Sequence, residues 1–287
     1  MHTIVSSANQ TLTIGSDQPF CIIGERINPT GRKAFQEQLR AGDLSAVEKD
    51  VADQVAGGAM MLDVNMGAPL VDEAALLADA VRLVQRLTDM PLCIDSSVVE
   101  ALEAGLAAYE GKALVNSVTA EDERMELILP LVKKYGAAVI ALPNDDKEIP
   151  EDPKRRFELT QYIVETATSK YGIPIEDIVI DPLAMPIGAD SQMVVRTLET
   201  IELIADKIGV NMTLGASNVS FGMPDRHTLN AVFLPMAIQA GLTSAIMDAR
   251  TDQIVTAVKG ADLMRGNDEW GANWISRHRA KQAAASA

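Results

Sequence analysis

Short runs of β-branched and apolar residues alternate along this chain with longer amphipathic segments. The runs cover residues 20–24, 60–65, 92–95, 113–116, 137–142, 177–181, 212–216 and 244–248. Each has the length of a strand, and the segments between them have room for helices. Several helices carry their own start and stop signals. Asp43 can cap a helix whose Val47, Val51 and Val55 recur on one face, and Gly57-Gly58 ends it. Asp152-Pro153 pairs a capping residue with proline at the first helical position, ahead of Leu159, Ile163 and Ala167, and Tyr171-Gly172 closes that helix. Residues 121–135 also read as helix, with a kink expected at Pro130.

Alternating strands and helices build either a closed barrel or an open doubly wound sheet. With eight strands in 287 residues the pattern favours an α/β fold of the (β/α)₈ barrel type, one barrel spanning residues 1–287. The open sheet would be better served by a glycine-rich first turn, and neither GxGxxG nor GxxxxGK[ST] occurs. Weak alternation in Thr3-Ile4-Val5 and Thr11-Leu12-Thr13-Ile14 predicts a hairpin within residues 1–19 that covers the barrel's bottom. Residues 267–287 read as a C-terminal helix and tail. Trp270 and Trp274, four apart, are expected to anchor that helix, with fraying from Ala280 onward.

Composition narrows the function. A net charge of −15 and a pI near 4.6 oppose a phosphate backbone, and no basic stripe offsets them, so nucleic acid is not the expected partner. The most apolar region, residues 231–247, is interrupted by Gln239, Gly241, Thr243 and Ser244, so no membrane span is expected. The first residues lack the basic flank and apolar run of a signal peptide, which predicts a cytoplasmic protein. Cys21 and Cys93 each sit within an apolar run and read as small core residues in a reducing compartment. His2, His227 and His278 are far apart, so no zinc site is expected, although an all-oxygen magnesium site stays open.

In βα barrels the carboxyl ends of the strands line the mouth where chemistry occurs. Here seven of the eight runs end in polar residues: Glu25, Arg26 and Asn28; Asp63 and Asn65; Asp95; Asn116; Asp181; Ser217-Asn218; and Asp248. Any one of them could simply cap the next helix. Together they describe a pocket of carboxylates and amides, suited to a ligand rich in N–H donors, and buried acids need such partners. A pterin ring fits, as would other heterocycles. Met185, close after Asp181, is placed near the ligand, and the remaining methionines are read as core filler.

The motifs make the choice. Ile22-Ile23-Gly24-Glu25-Arg26-Ile27-Asn28 is followed by Leu62-Asp63-Val64-Asn65-Met66-Gly67, Leu92-Cys93-Ile94-Asp95-Ser96-Ser97 and Val115-Asn116-Ser117. Then come Ile180-Asp181-Pro182-Leu183, Leu214-Gly215-Ala216-Ser217-Asn218-Val219-Ser220 and Ala245-Ile246-Met247-Asp248. As an ordered set, over residues 20–266, these resemble the methyltetrahydrofolate:corrinoid protein methyltransferases. More loosely, they resemble the folate domain of cobalamin-dependent methionine synthase.

The resemblance implies a pterin-binding TIM barrel of dihydropteroate synthase-like type that binds tetrahydrofolate or 5-methyltetrahydrofolate. It implies that Asp95, Asn116 and Asp181 hold the pterin edge, that Gly215 and Ser217 line the ring, and that Arg226 supports the far wall. Glu25, Asp63 and Asn65 join the binding set as strand-end residues. Asn218 falls where the family places the amide that hydrogen-bonds pterin N5, and is the catalytic candidate. A corrinoid (cobalamin) carried by a separate protein is implied, as is a homodimer. The pattern looks closest to the tetrahydrofolate-side enzyme of betaine-type demethylation, with the direction of transfer open.

Residues 142–147 and 221–224 depart from the family pattern. Asp225-Arg226-His227-Thr228-Leu229-Asn230 half-matches a cobalamin-binding Asp-x-His-x-x-Gly, but the glycine is missing, and His227 is read as an ordinary residue near a helix start. Two alternatives are a dihydropteroate synthase and a non-catalytic folate-binding barrel. The first would call for a Ser-Arg-Lys run where this chain has Ser217-Asn218-Val219.

Overall fold

A computed structural model describes residues 1–147 and 149–285. The chain opens with strands β1 (Thr3–Ser6) and β2 (Thr11–Ile14), then β3 (Cys21–Ile27), helices α1 (Lys33–Arg40) and α2 (Ser45–Gly57), and β4 (Met61–Asn65). It continues through α3 (Glu73–Leu87), β5 (Leu92–Asp95), α4 (Val99–Ala108), β6 (Leu114–Thr119), α5 (Asp122–Tyr135), β7 (Ala138–Leu142) and α6 (Pro153–Ser169). The last part holds β8 (Ile178–Ile180), α7 (Met193–Lys207), α8 (Arg226–Ala240), β9 (Ser244–Met247), α9 (Asp252–Arg265) and α10 (Ala272–Ala285). Three short 3₁₀ turns, Ile175–Asp177, Ala216–Ser220 and Glu269–Gly271, complete it.

Seven strands form one parallel sheet in the order β8-β7-β6-β5-β4-β3-β9. The residues expected as an eighth strand, 212–216, form only single bridges, Ile180 with Met212 and Gly215 with Ile246. The extended stretch is cut short because a 3₁₀ turn begins at Ala216. Even so, it closes the ring. Ile180 N–H donates to the Asn211 carbonyl at 2.9 Å and Thr213 N–H to that of Ile180 at 2.9 Å, while Ser244 and Ile246 donate to Met212 and Leu214 at 3.0 and 2.9 Å. The result is the (β/α)₈ barrel expected from the pattern.

Each parallel strand is apolar on both faces, since helices cover one and the barrel interior the other. Ile22, Leu62, Ile94 and Val115 pack outward with the helices. Cys21, Ile23, Met61, Cys93, Leu114, Ala138, Ile140 and Val179 fill the interior, where Val5, Leu12 and Ile14 of the β1–β2 hairpin join them. Both cysteines are free and buried. The hairpin is stitched down by polar contacts: Asn211 Nδ2 donates to Thr3 Oγ1 and to the Ile14 carbonyl, each at 3.0 Å, and Tyr109 hydroxyl to the Ser6 carbonyl at 2.9 Å.

Most helix signals hold, with corrections. The N-cap of α2 is Leu44, with no side-chain cap; Asp43, expected as the cap, stands one residue earlier and accepts from Ser45 N–H at 2.9 Å, and Gly58, at φ 104°, ends the helix. Its buried stripe is Val47, Asp50, Val51 and Gln54, while Val55 is 37% exposed. Asp152 caps α6 with Pro153 in its first turn, and Pro130 sits inside α5 without ending it. Trp270 is not an anchor. It is 91% exposed in the Glu269–Gly271 turn, at φ 55°, whereas Trp274 packs over Gly260. Asp268 fixes the start of α10 by accepting from Asn273 and Trp274 N–H, both at 2.9 Å. That helix runs to Ala285, through most of the stretch expected to fray from Ala280; residues 286–287 lie outside the described residues. Among the described residues, no helix is long and apolar enough to cross a membrane.

Candidate functional site

Strand alternation puts Asp63 and Asn65 of β4 on the same face, and parallel register sets Asn65, Asp95 and Asn116 side by side across β4, β5 and β6. Each acid meets an amide. Asn65 Nδ2 donates to Asp95 Oδ2 at 2.9 Å, and Asn116 Nδ2 to Asp63 Oδ1 at 3.3 Å. Asn65 Oδ1 in turn accepts from Gly67 N–H at 2.8 Å, which orients the amide. Asp181 follows β8 and accepts from Leu183 N–H at 2.8 Å. Across the ring, β3 slips register against β4 between Gly24 and Ile27, an irregularity of the kind that re-aims side chains beside active sites. Glu25 lies there, and both its carboxylate oxygens accept from Ser217 Oγ at 3.0 Å.

These acids are uncomfortable as anions. Burial pushes Asp63 well above the usual carboxylate range, and the charge of Asp95 adds to this. Burial lifts Asp95 to about 6, against the hydrogen bond from Asn65 and with help from Glu73. Asp181 rises to about 7 through burial, opposed by Leu183 N–H and by Arg156. Glu25 is also raised by burial, against its Ser217 hydrogen bond. Asp95, Asp181 and Glu25 nevertheless keep part of their surface open, so a ligand can reach them. Four destabilised carboxyls in one mouth form a site primed for N–H donors.

Several supporting residues escape a reading of strand ends. Arg156 is fully buried and donates to the carbonyls of Pro150, Pro182 and Leu183 at 2.7, 3.0 and 2.9 Å, holding the loop after Asp181, where Leu183 takes φ 62°. Gln54, also fully buried, accepts from Arg26 N–H at 2.9 Å. A Cβ on Gly24 would lie 2.4 Å from Gln54 Oε1, so glycine leaves the room that the Gln54 amide occupies. Glu73 accepts from Ser96 Oγ. The available signal was a polar residue on an apolar stripe: Asp50 and Gln54 beside Val47 and Val51, and Arg156 three positions before Leu159.

The other candidates fall on the Ala216–Ser220 turn and the loops near it. Asn218 is exposed, and its side chain makes no hydrogen bond among the described residues. It stands over Gly215, where a Cβ would lie 3.0 Å from Asn218 Nδ2. Arg226 buttresses the turn, with Nη2 donating to the Ser217 carbonyl at 2.7 Å and Nε to Ser220 Oγ at 3.2 Å. Met185 is half-buried in the loop after Asp181, and His227 is exposed in the first turn of α8. Among the described residues, no three His, Cys, Asp or Glu side chains are grouped to hold a metal ion.

A barrel with acids and amides converging at its mouth is what a pterin-binding enzyme needs, and the chain belongs to that family: the Pterin binding enzyme profile matches residues 24–248. Among relatives, it is 31% identical over 253 residues to the methylcorrinoid:tetrahydrofolate methyltransferase of Eubacterium limosum, covering 86% of this chain and 92% of that protein. It is 34% identical over 258 residues to methionine synthase of Mycobacterium tuberculosis (strain ATCC 25618 / H37Rv), covering 85% of this chain and 22% of that longer protein. Among solved structures, dihydropteroate synthase from Xanthomonas albilineans in complex with 7,8-dihydropteroate superposes with a TM-score of 0.71 at 19% identity, covering 91% of this chain and 98% of that one. The Yersinia pestis enzyme with a pterine-sulfa conjugate gives 0.69 at 17% identity, covering 93% and 99%. At such identities these structures speak for the fold.

Proposed function

We propose that this protein transfers a methyl group between N5 of tetrahydrofolate and a corrinoid carried on a separate protein. The observation that carries this reading is Asn218, an exposed amide whose side chain makes no hydrogen bond among the described residues, on the turn that also supplies Ser217 to Glu25. The near full-length likeness to a methylcorrinoid:tetrahydrofolate methyltransferase supports it.

The donor set fits the ligand. The 2-amino group and ring N–H of a reduced pterin are donors, and ionised Asp95 and Asp181 are acceptors that regain on binding what burial took from them. Asn65 and Asn116 brace the acids, while Arg156 fixes the loop behind Asp181. The difficulty of the reaction lies at N5, a poor leaving group that changes charge as its bond to carbon forms or breaks. A side-chain amide suits that atom. Asn218 Nδ2 donates to an N5 lone pair in one orientation, and Oδ1 accepts from N5–H in the other, so one residue serves both directions. The corrinoid supplies the methyl acceptor or donor.

The test is methyl transfer from 5-methyltetrahydrofolate to free, chemically reduced cobalamin, followed by its absorption change. Transfer by the native protein, largely lost in Asn218→Ala, is expected. Folate binding without transfer, to free or partner-held corrinoid, would favour a non-catalytic barrel. Condensation of a pterin pyrophosphate with p-aminobenzoate would favour a dihydropteroate synthase.

A further inference from the structure

Arg26 has the surroundings of an arginine that is waiting for an anion. It sits beside Glu25 at the carboxyl end of β3, and its side chain is half-buried. Its Nε is sealed from solvent and has no hydrogen-bond partner. Among the described residues, its guanidinium forms no ion pair and no side-chain hydrogen bond. The charges around it are Arg250, Arg32, Asp248 and Asp50. Both of those acids are already engaged: Asp50 Oδ2 lies 2.6 Å from Arg32 Nη1, and Asp248 is gripped by Arg250 Nε and Nη2 at 2.8 and 2.7 Å. Arg32 and Arg250 thus hold the hydrogen bonds of both acids that act on Arg26. Burial, and repulsion from Arg250 and Arg32, hold the Arg26 guanidinium below its ordinary range.

Local geometry keeps it there. The Arg26 backbone is pinned on both sides, its N–H donating to Gln54 at 2.9 Å and its carbonyl accepting from Arg32 Nη1 at 2.5 Å. A buried glutamine, a glycine that makes room for it and a bridging arginine hold this residue in a place that the fold's own ion pairs do not use. A partly dehydrated fork of N–H donors with an unmet positive charge takes a carboxylate in paired hydrogen bonds.

We propose that Arg26 anchors a carboxylate of the folate's glutamyl chain and so sets preference for folates over pteroates. This rests on the folate reading given above. The overall charge of −15 makes such a site useful, because an acidic surface repels an anionic substrate and a local cation at the rim offsets that repulsion. Glu25 feels the charge of Arg26 but makes no ion pair with it among the described residues; it accepts from Ser217, and burial pushes its carboxyl toward the neutral form.

The experiment is calorimetric titration of the native protein, Arg26→Gln and Arg26→Lys with tetrahydrofolate and with tetrahydropteroate, which keeps the ring system but lacks glutamate. The native protein is expected to prefer tetrahydrofolate by about tenfold, the scale of one charge-assisted contact. Arg26→Gln should bring that ratio close to one, and Arg26→Lys should fall between, restoring charge without the fork. Added salt should shrink the native ratio. A native ratio near one, or a ratio unchanged in Arg26→Gln, overturns the proposal while leaving the folate reading intact. Arg26→Gln weakening both ligands equally also overturns it, since the residue would then serve structure alone. If the native protein binds neither ligand, the folate reading itself fails.

Discussion

The two ends of the barrel obey opposite rules. At the amino-terminal end, Val5, Leu12 and Ile14 enter an apolar interior, and the hairpin that carries them is tied down by Asn211 and Tyr109. At the carboxyl-terminal end, Asp63, Asp95, Asp181 and Glu25 crowd a mouth that raises the pKa of each of them. One end is packed to stabilise; the other holds charges at a cost in stability. This is the division of labour expected of βα barrels. Substitutions at the two ends should therefore separate stability from function.

The largest expected effect is at the plug. Ile14→Ala removes a fully buried side chain and should lower unfolding free energy by about 3 kcal/mol, read by chemical denaturation. Folate affinity should be unchanged at temperatures where the variant stays folded. Next is Asn218→Ala, expected to slow methyl transfer about 100-fold, roughly 2.7 kcal/mol in the barrier, with folate affinity changed only a few-fold. Because Asn218 is exposed, its melting temperature should hold. Equal losses in turnover and affinity would reduce it to a binding residue.

Asp181→Asn should break the comparison in the other direction. The Asp181 carboxyl rises to about 7 in the folded chain. The native state therefore binds more protons than the unfolded chain between about pH 4 and that value, and stability falls as pH rises through the window. Above it the full penalty is present. Removing the charge should therefore stabilise the free protein at pH 8 by about 1–2 kcal/mol, after allowing for the open part of the site, while weakening folate binding. The smallest effect is in the native protein. Ligand N–H groups need ionised acids, so tetrahydrofolate affinity should level off above about pH 8, fall up to about tenfold per pH unit as Asp181 takes up its proton, and fall more steeply once Asp95, near 6, follows. A flat profile would mean that neither acid is ionised on binding.

Much of this was written in local pattern. Residues 92–95 stand out as a strand because the apolar run Leu92-Cys93-Ile94 ends in Asp95 and is bounded by Pro91 and Ser96, and Asp152-Pro153 starts a helix by chemistry confined to two residues. The strand-end rule found Asp63, Asn65, Asp95 and Asn116 because parallel register carries neighbouring ends to one level. What escaped depends on distant partners. Residues 212–216 have a strand's composition, yet the turn at Ala216 leaves them only single bridges to each neighbour. Arg156 and Gln54 look like surface residues until the carbonyls of Pro182 and Leu183, and the N–H of Arg26, are brought to them. Trp270 had the spacing of an anchor, but spacing does not reveal the backbone turn that leaves it outside.

The central claim is that the acidic mouth is a folate site, and calorimetric titration with tetrahydrofolate and 5-methyltetrahydrofolate tests it most directly. Saturable binding, one ligand per chain, lost in Asp95→Ala and Asp181→Ala while both variants stay folded, is the predicted result. Absence of binding by the folded native protein, or binding untouched by both substitutions, would contradict it.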